Sequence, residues 1–337
     1  MKVLVNSYLN FAQNTAGGVY SKVCNFIKSS HDFPEYIIKP FDIWEDKIRD
    51  YDIVHYFALK TEFYDQMLLA KKLGKKVVIS SIVTIGDDKR TRFKIWLGKG
   101  FRLYTNENKC KDMLSLADAI IAETQKEKDF IISAFNADPS KIYVIPNGVS
   151  EEILNGDASL IKSALGIDRP FVLQVGRFDT NKNQLSVIRA LAGTDIPAVF
   201  VGGPDSSAPE YYEKCRNEAG PNCYFTGWIN HNDPLMASAY DAAKVVVLPS
   251  HHEIFGNAIF EGAMTKSNIV ATNVLPLDEF GFSENAIPIN PDDVDDIRSA
   301  IMKAYNRDID EQFAEYVKQK YSLNAIFKEH IKVYNRI

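Results

Sequence analysis

The run Val245-Val246-Val247-Leu248 constrains this chain more than any other short stretch. It is unbroken and has the length and β-branching of a strand buried on both faces, and such strands belong to parallel sheets covered by helices. The residues that follow agree. Pro249-Ser250-His251-His252-Glu253-Ile254-Phe255-Gly256 forms a polar turn, and Ala258 to Met264 has helical spacing. Gly256 lets the backbone approach a ligand at the first turn of that helix, where N–H groups and the helix dipole favour an anion. Glu253 stands before this N-terminus and Glu261 about one turn inside it. Carboxylates accept hydrogen bonds from hydroxyl groups, so the pair suits a ligand with a diphosphate in its middle and polyols at both ends, such as a nucleotide sugar. The alternative is plainer: an acidic residue near a helix N-terminus is favourable with no ligand, and Glu261 is then an ordinary solvated helix residue.

The same unit recurs. Phe171-Val172-Leu173-Gln174-Val175 is a second buried strand; it runs into Gly176-Arg177, a polar loop carrying Lys182-Asn183, and a helical stretch from Leu185 to Leu191. Ala198 to Val201 closes on Gly202-Gly203, and Tyr224-Phe225-Thr226 on Gly227. Arg177 and Lys182 would stand at the carboxyl edge of the sheet, where open α/β folds bind ligands, and two cations there can clamp a diphosphate. Either residue alone is more often plain surface. In the first half, Lys2 to Asn6 is a first strand, Ala16-Gly17-Gly18-Val19 opens an amphipathic helix through Val23, Phe26 and Ile27, and Asp52 to Phe57 is a further strand. A strand that stops at Pro146, followed by Asn147-Gly148, marks a boundary. The expected organisation is α/β, with two doubly wound parallel-sheet domains: 1–147, 148–320, and a capped amphipathic helix in 321–337.

The order Gly176-Arg177, Lys182-Asn183, Gly202-Gly203, Phe225-x-Gly227, Pro249-Ser250, Glu253-x-Phe255-Gly256 and Glu261-Gly262-Ala263-Met264 resembles the family 4 retaining glycosyltransferases of the GT-B fold. Glu253 and Glu261 reproduce that family's E-x7-E spacing. The resemblance covers nearly all of residues 142–337 and implies two Rossmann-like domains facing across a cleft, with the last helix returning to the first domain. It assigns Arg177 and Lys182 to the donor pyrophosphate, Glu253 to the donor sugar, Glu261 to the nucleotide ribose, and the Phe255, Gly256 and Asn257 backbone to sugar and phosphate. Gly17 and Gly18 fall where the family faces the donor phosphates, the alternative being a flexible loop and a helix start. His55 matches an Asp-x-x-His strand end and would stand in the cleft; the other reading is a satisfied core histidine. The implied reaction is hexosyl transfer with retention from a UDP- or GDP-sugar to a glycan or lipid-linked acceptor hydroxyl, in surface polysaccharide or glycoconjugate assembly, with no cofactor and no metal. There is one departure from the family: many relatives carry a second His after the strand corresponding to Lys76 to Ile82, whereas Ser80-Ser81-Ile82-Val83-Thr84 has none.

Composition narrows the remaining choices. A chain of 337 residues with 46% hydrophobic residues suits two ordinary domains and excludes wholesale disorder. Cys24, Cys110, Cys215 and Cys223 show no paired metal spacing and read as reduced thiols. No signal-peptide pattern or membrane-length apolar run is present, which predicts a cytoplasmic protein, and a net charge of -5 argues against nucleic acid as a partner. Asp293-Val294-Asp295 imitates a metal-binding DxD, but it lies where a helix begins and is better explained as an N-cap.

One segment reverses the charge. Lys89, Arg90, Arg92, Lys94, Lys99 and Arg102 crowd among Phe93, Ile95, Trp96, Leu97, Phe101 and Tyr104, with no acidic residue from Lys89 to Tyr104. Residues 89–104 suit contact with an anionic membrane at its inner face, or with an anionic acceptor presented there. A solvated basic face with core-facing aromatics is the alternative. Three other functions compete with transfer. A dinucleotide oxidoreductase requires a G-x-G-x-x-G that this chain lacks. A GT-B sugar-nucleotide epimerase and a silent sugar-nucleotide binding protein share the donor grip and differ in turnover alone.

Overall fold

The computed structural model describes residues 1–7, 18–83, 85–100 and 105–337. The chain divides into two compact units: Met1–Gly148 together with Leu323–Ile337, and Val149–Ser322. Each is built on a six-stranded, all-parallel sheet.

The first unit has β1 (Lys2–Asn6), β2 (Ile37–Pro40), β3 (Ile53–Phe57), β4 (Lys76–Ser80), β5 (Ala119–Ala122) and β6 (Ile142–Val144) in the order β2-β1-β3-β4-β5-β6. The inner strands β3 and β5 are buried at every residue, which is why β5 reads as an unbroken apolar run and β3 as one interrupted by His55 rather than as alternating patterns. Helices Gly18–Ser30, Tyr64–Lys72, Asp88–Gly100, Asn106–Leu116, Gln125–Phe135 and Leu323–Tyr334 belong to this unit. The helix at Gln125 starts with reciprocal capping: Thr124 Oγ1 accepts from the Glu127 N–H at 3.0 Å, and Glu127 reaches back to the Glu123 N–H at 2.7 Å. β4 stops at Ser80, short of the expected Ile82, because Ile82 takes a left-handed φ of 45° that ends the strand.

The second unit has β7 (Phe171–Val175), β8 (Ala198–Val201), β9 (Cys223–Gly227), β10 (Ala243–Leu248), β11 (Asn268–Thr272) and β12 (Ala286–Ile289) in the order β12-β11-β10-β7-β8-β9. Val172, Phe200, Val245, Val247, Val270 and Ile289 on the sheet pack with Ile297 and Ile301 of helix Val294–Tyr305. That helix begins at Asp293, whose side chain accepts from the Asp295 and Asp296 N–H groups at 3.0 Å each; the DxD-like triplet is an N-cap. All four cysteines are free.

Candidate functional site

In the second unit the strand order reverses between β7 and β10, which pair directly with Leu173 opposite Val246. Connections leave these two strands toward opposite sides, so their carboxyl ends open a crevice at the topological switch point. Arg177 and Lys182 follow β7, and Glu253, Gly256 and Glu261 follow β10. The second unit thus brings these five sequence-predicted residues to one edge of one sheet.

Side-chain amides tie the two loops together. The Asn181 carbonyl accepts from the His251 N–H at 2.9 Å, its Oδ1 from the His252 N–H at 2.8 Å, and its Nδ2 donates to the His252 carbonyl at 3.0 Å. Asn183, left-handed at φ 58°, donates through Nδ2 to the carbonyls of Pro249 and Pro291 at 3.2 and 2.7 Å. From β7, Gln174 Nε2 donates to the Lys182 carbonyl at 2.7 Å. These hydrogen bonds hold the two loops in register. Asparagine suits this work because it tolerates the left-handed region and carries both a donor and an acceptor.

Within that frame the charges are already paired. Lys182 Nζ meets Glu253 Oε2 at 2.8 Å. Arg177 Nε stands 3.0 Å from Asp179 Oδ2 and 3.1 Å from Asp205 Oδ2, while the guanidinium side chain stays 55% exposed. Glu261 is not a solvated helix residue: it is 7% exposed, it accepts a hydrogen bond from the Tyr240 hydroxyl, and His231 Nε2 lies 3.8 Å from its other oxygen. Burial, with Glu261 beside it, drives the Tyr240 hydroxyl well above its ordinary pKa and keeps it a donor. Gly256, at φ 79°, starts helix Asn257–Met264, and a Cβ there would come within 2.7 Å of Leu248 Cδ2, so glycine is required. Phe255 is buried and stacked on Phe260 with ring centroids 3.9 Å apart, which anchors this turn on the helix that follows.

Sequence reasoning missed Asp179, Asp205, Tyr240, His231 and the Asn181 and Asn183 ties. The one local signal was the Asn-Lys-Asn triplet at 181–183.

The first unit corrects one expectation. His55 is fully buried, with Nδ1 2.7 Å from Tyr334 Oη and Nε2 2.9 Å from Ser80 Oγ. Burial, then the neighbouring His330 and Lys22, holds its pKa well below the usual value, so it is a neutral core residue rather than one standing in a cleft. In the stretch that lacks the family's second His, the Ser81 hydroxyl donates to Glu127 Oε1 at 2.7 Å inside the core. Gly18 begins helix Gly18–Ser30; Gly17 lies outside the described residues. The basic segment is a helix, Asp88–Gly100, with Ile95 buried, Lys89, Arg90, Arg92 and Lys94 exposed, and Phe93 and Trp96 stacked at 5.9 Å and 57% and 66% exposed. Phe101, Arg102 and Tyr104 lie outside the described residues, as does the Lys99 side chain.

Comparison with known proteins agrees with this layout. The profile of the glycosyl transferases group 1 matches residues 169–307, and that of glycosyltransferase family 4 matches residues 5–153. A D-inositol 3-phosphate glycosyltransferase from Mycobacterium sp. strain KMS is 32% identical over 165 residues, 47% of this chain and 38% of that protein. The enzyme of the same name from Mycobacterium tuberculosis H37Ra is 30% identical over 165 residues, 47% of this chain and 34% of that protein. The match therefore spans well under half the length of these relatives. Among solved structures, sucrose-phosphate synthase from Thermosynechococcus elongatus superposes with a TM-score of 0.75 at 19% identity, over 99% of this chain and 98% of that one. Anabaena HepE in complex with UDP and glucose superposes with a TM-score of 0.72 at 15% identity, over the whole of both chains. The two doubly wound sheets are those of the GT-B fold. The chain belongs to glycosyltransferase family 4, with a group 1 glycosyl transferase region in its second half.

Proposed function

We propose that the protein transfers a hexosyl group, with retention, from a nucleoside-diphosphate sugar to an acceptor hydroxyl. The observation that carries this reading is the gathering of Arg177, Lys182, Glu253 and Glu261 at the β7/β10 switch point. Arg177 and Lys182 hold the diphosphate, Glu261 the ribose, Glu253 the donor sugar, and the Phe255 to Asn257 backbone completes the cradle. In the reaction the bond from the sugar C1 to the diphosphate oxygen breaks, the acceptor oxygen bonds to C1, and the acceptor proton goes to the departing phosphate. Positive charge set beforehand around that phosphate stabilises the charge it gains, and no step passes through a metal. The bound UDP in HepE supports a uridine diphosphate donor.

For the acceptor, the reading is a glycan or lipid-linked hydroxyl met at an anionic membrane surface. Its support is helix Asp88–Gly100, where exposed basic residues surround the exposed Phe93–Trp96 pair. Among the described residues no helix is long and apolar enough to cross a membrane.

The test is to incubate the protein with UDP- and GDP-sugars and candidate glycan and lipid-linked acceptors, and to follow the released nucleoside diphosphate and the anomeric configuration of the product. Arg177→Ala and Lys182→Ala should each cost about tenfold or more in turnover, the equivalent of about 1.4 kcal/mol of transition-state stabilisation, with the fold intact. Near-normal turnover in both variants would sink the assignment.

A further inference from the structure

β9 ends at Gly227, left-handed at φ 72°, and the next residue is Trp228, 63% exposed. An indole so open to water is usually loose; this one is seated. It lies against the backbone of Gly203, where a Cβ would fall on the indole Nε1 and Cδ1 atoms. Gly203 in turn holds the donor edge: its carbonyl accepts from the Phe178 N–H at 2.9 Å, next to Arg177, and neighbouring Gly202 sits so close to the Gly176 carbonyl that no Cβ fits there either. The ring is moored to the same stretch of backbone as the diphosphate-binding Arg177. Three residues further on, the loop brings His231 to within 3.8 Å of Glu261. The loop after β9 therefore leads from an open aromatic face to the ribose carboxylate.

We propose that Trp228 is the stacking platform for the nucleobase of the donor, an inference that rests on the nucleotide-sugar reading above. A base is a flat π-surface joined to a ribose, and the loop carries an exposed indole three residues before His231, which meets the carboxylate assigned to the ribose. Stacking removes water from both faces and tolerates any base, since every base has a π-face. The glycines at 202 and 203 are then the means by which the ring is brought close to the sheet edge, because any side chain at 203 would displace it.

The experiment is calorimetry on the whole chain with UDP, GDP and inorganic pyrophosphate, for wild type, Trp228→Ala and Trp228→Phe. Trp228→Ala should weaken both nucleotides by at least about fivefold while leaving pyrophosphate unchanged, and Trp228→Phe should keep most of the affinity. A companion protein with Trp44 and Trp96 replaced by Phe leaves Trp228 as its single tryptophan, whose fluorescence should be quenched by nucleotide and not by pyrophosphate. Nucleotide affinity unchanged in Trp228→Ala overturns the stacking role and leaves the nucleotide-sugar reading standing. An equal loss for pyrophosphate also overturns it, since the damage would then lie in the diphosphate grip. If wild type binds neither nucleotide, the functional reading falls and this inference with it.

Discussion

Lys182 and Glu253 are 71 residues apart in the chain and meet at 2.8 Å, a contact no local pattern announces. The residue types were legible: the two cations and the two carboxylates stand where strand-to-loop grammar put them. Their partners were not, because Asp205 beside Arg177, Tyr240 under Glu261 and Asn181 against His252 are chosen by which strands pair, and pairing is a property of the whole sheet. His55 shows the same limit from the other side, since its strand end looked like a site and tertiary packing made it core. The Lys182–Glu253 pair sharpens one expectation. Glu261→Gln removes an acceptor for the ribose and should weaken free nucleoside diphosphate. Glu253→Gln instead frees Lys182 from its competitor, so it should bind nucleoside diphosphate at least as tightly as wild type while losing transfer. Calorimetry with UDP or GDP decides this, and equal losses of affinity in both variants contradict the separate roles.

At the level of elements, the buried parallel strands were the most readable features, since both faces covered means an unbroken apolar run. Helices were less so. Basic residues interrupt the apolar spacing of Asp88–Gly100, and in Glu311–Tyr321 the apolar Phe313, Ala314 and Val317 are sparse among charged residues, so neither helix has a clear sequence signature. That first helix carries its own prediction. Each exposed basic residue near an anionic lipid surface adds about 1 kcal/mol of attraction before screening. The protein should therefore co-sediment with anionic vesicles at low salt, less so at high salt, and not with neutral ones. A variant with Lys89, Arg90, Arg92 and Lys94 replaced by Ser should lose most of this binding. If wild type ignores anionic vesicles, the acceptor is a soluble molecule and the helix is a solvated face.

At the scale of the whole molecule, the second unit is one continuous stretch while the first is two, Met1–Gly148 and Leu323–Ile337. Helix Leu323–Tyr334 brings His330 and Tyr334 into a core already holding His55, Phe26 and Phe57. Burial lowers the His330 pKa to about 4 and that of His55 well below its ordinary value. An unfolded chain binds protons on these rings once the pH drops below about 6.5, and the folded one resists. Stability is therefore full above that value and declines as the pH falls toward 4, by up to about 1.4 kcal/mol per pH unit for each ring. Denaturant midpoints between pH 7 and 5 should show the decline, and His330→Gln should make it shallower; an unchanged slope would remove His330 from the account. The same two-part construction sets an order of events during synthesis. All of Val149–Ser322 leaves the ribosome before the helix that supplies Tyr334 to His55, so the unit begun first is finished last. A stall or a frameshift anywhere in the second unit would leave an unfilled core in the first, and quality-control proteases would meet the fault at a distance from where it arose.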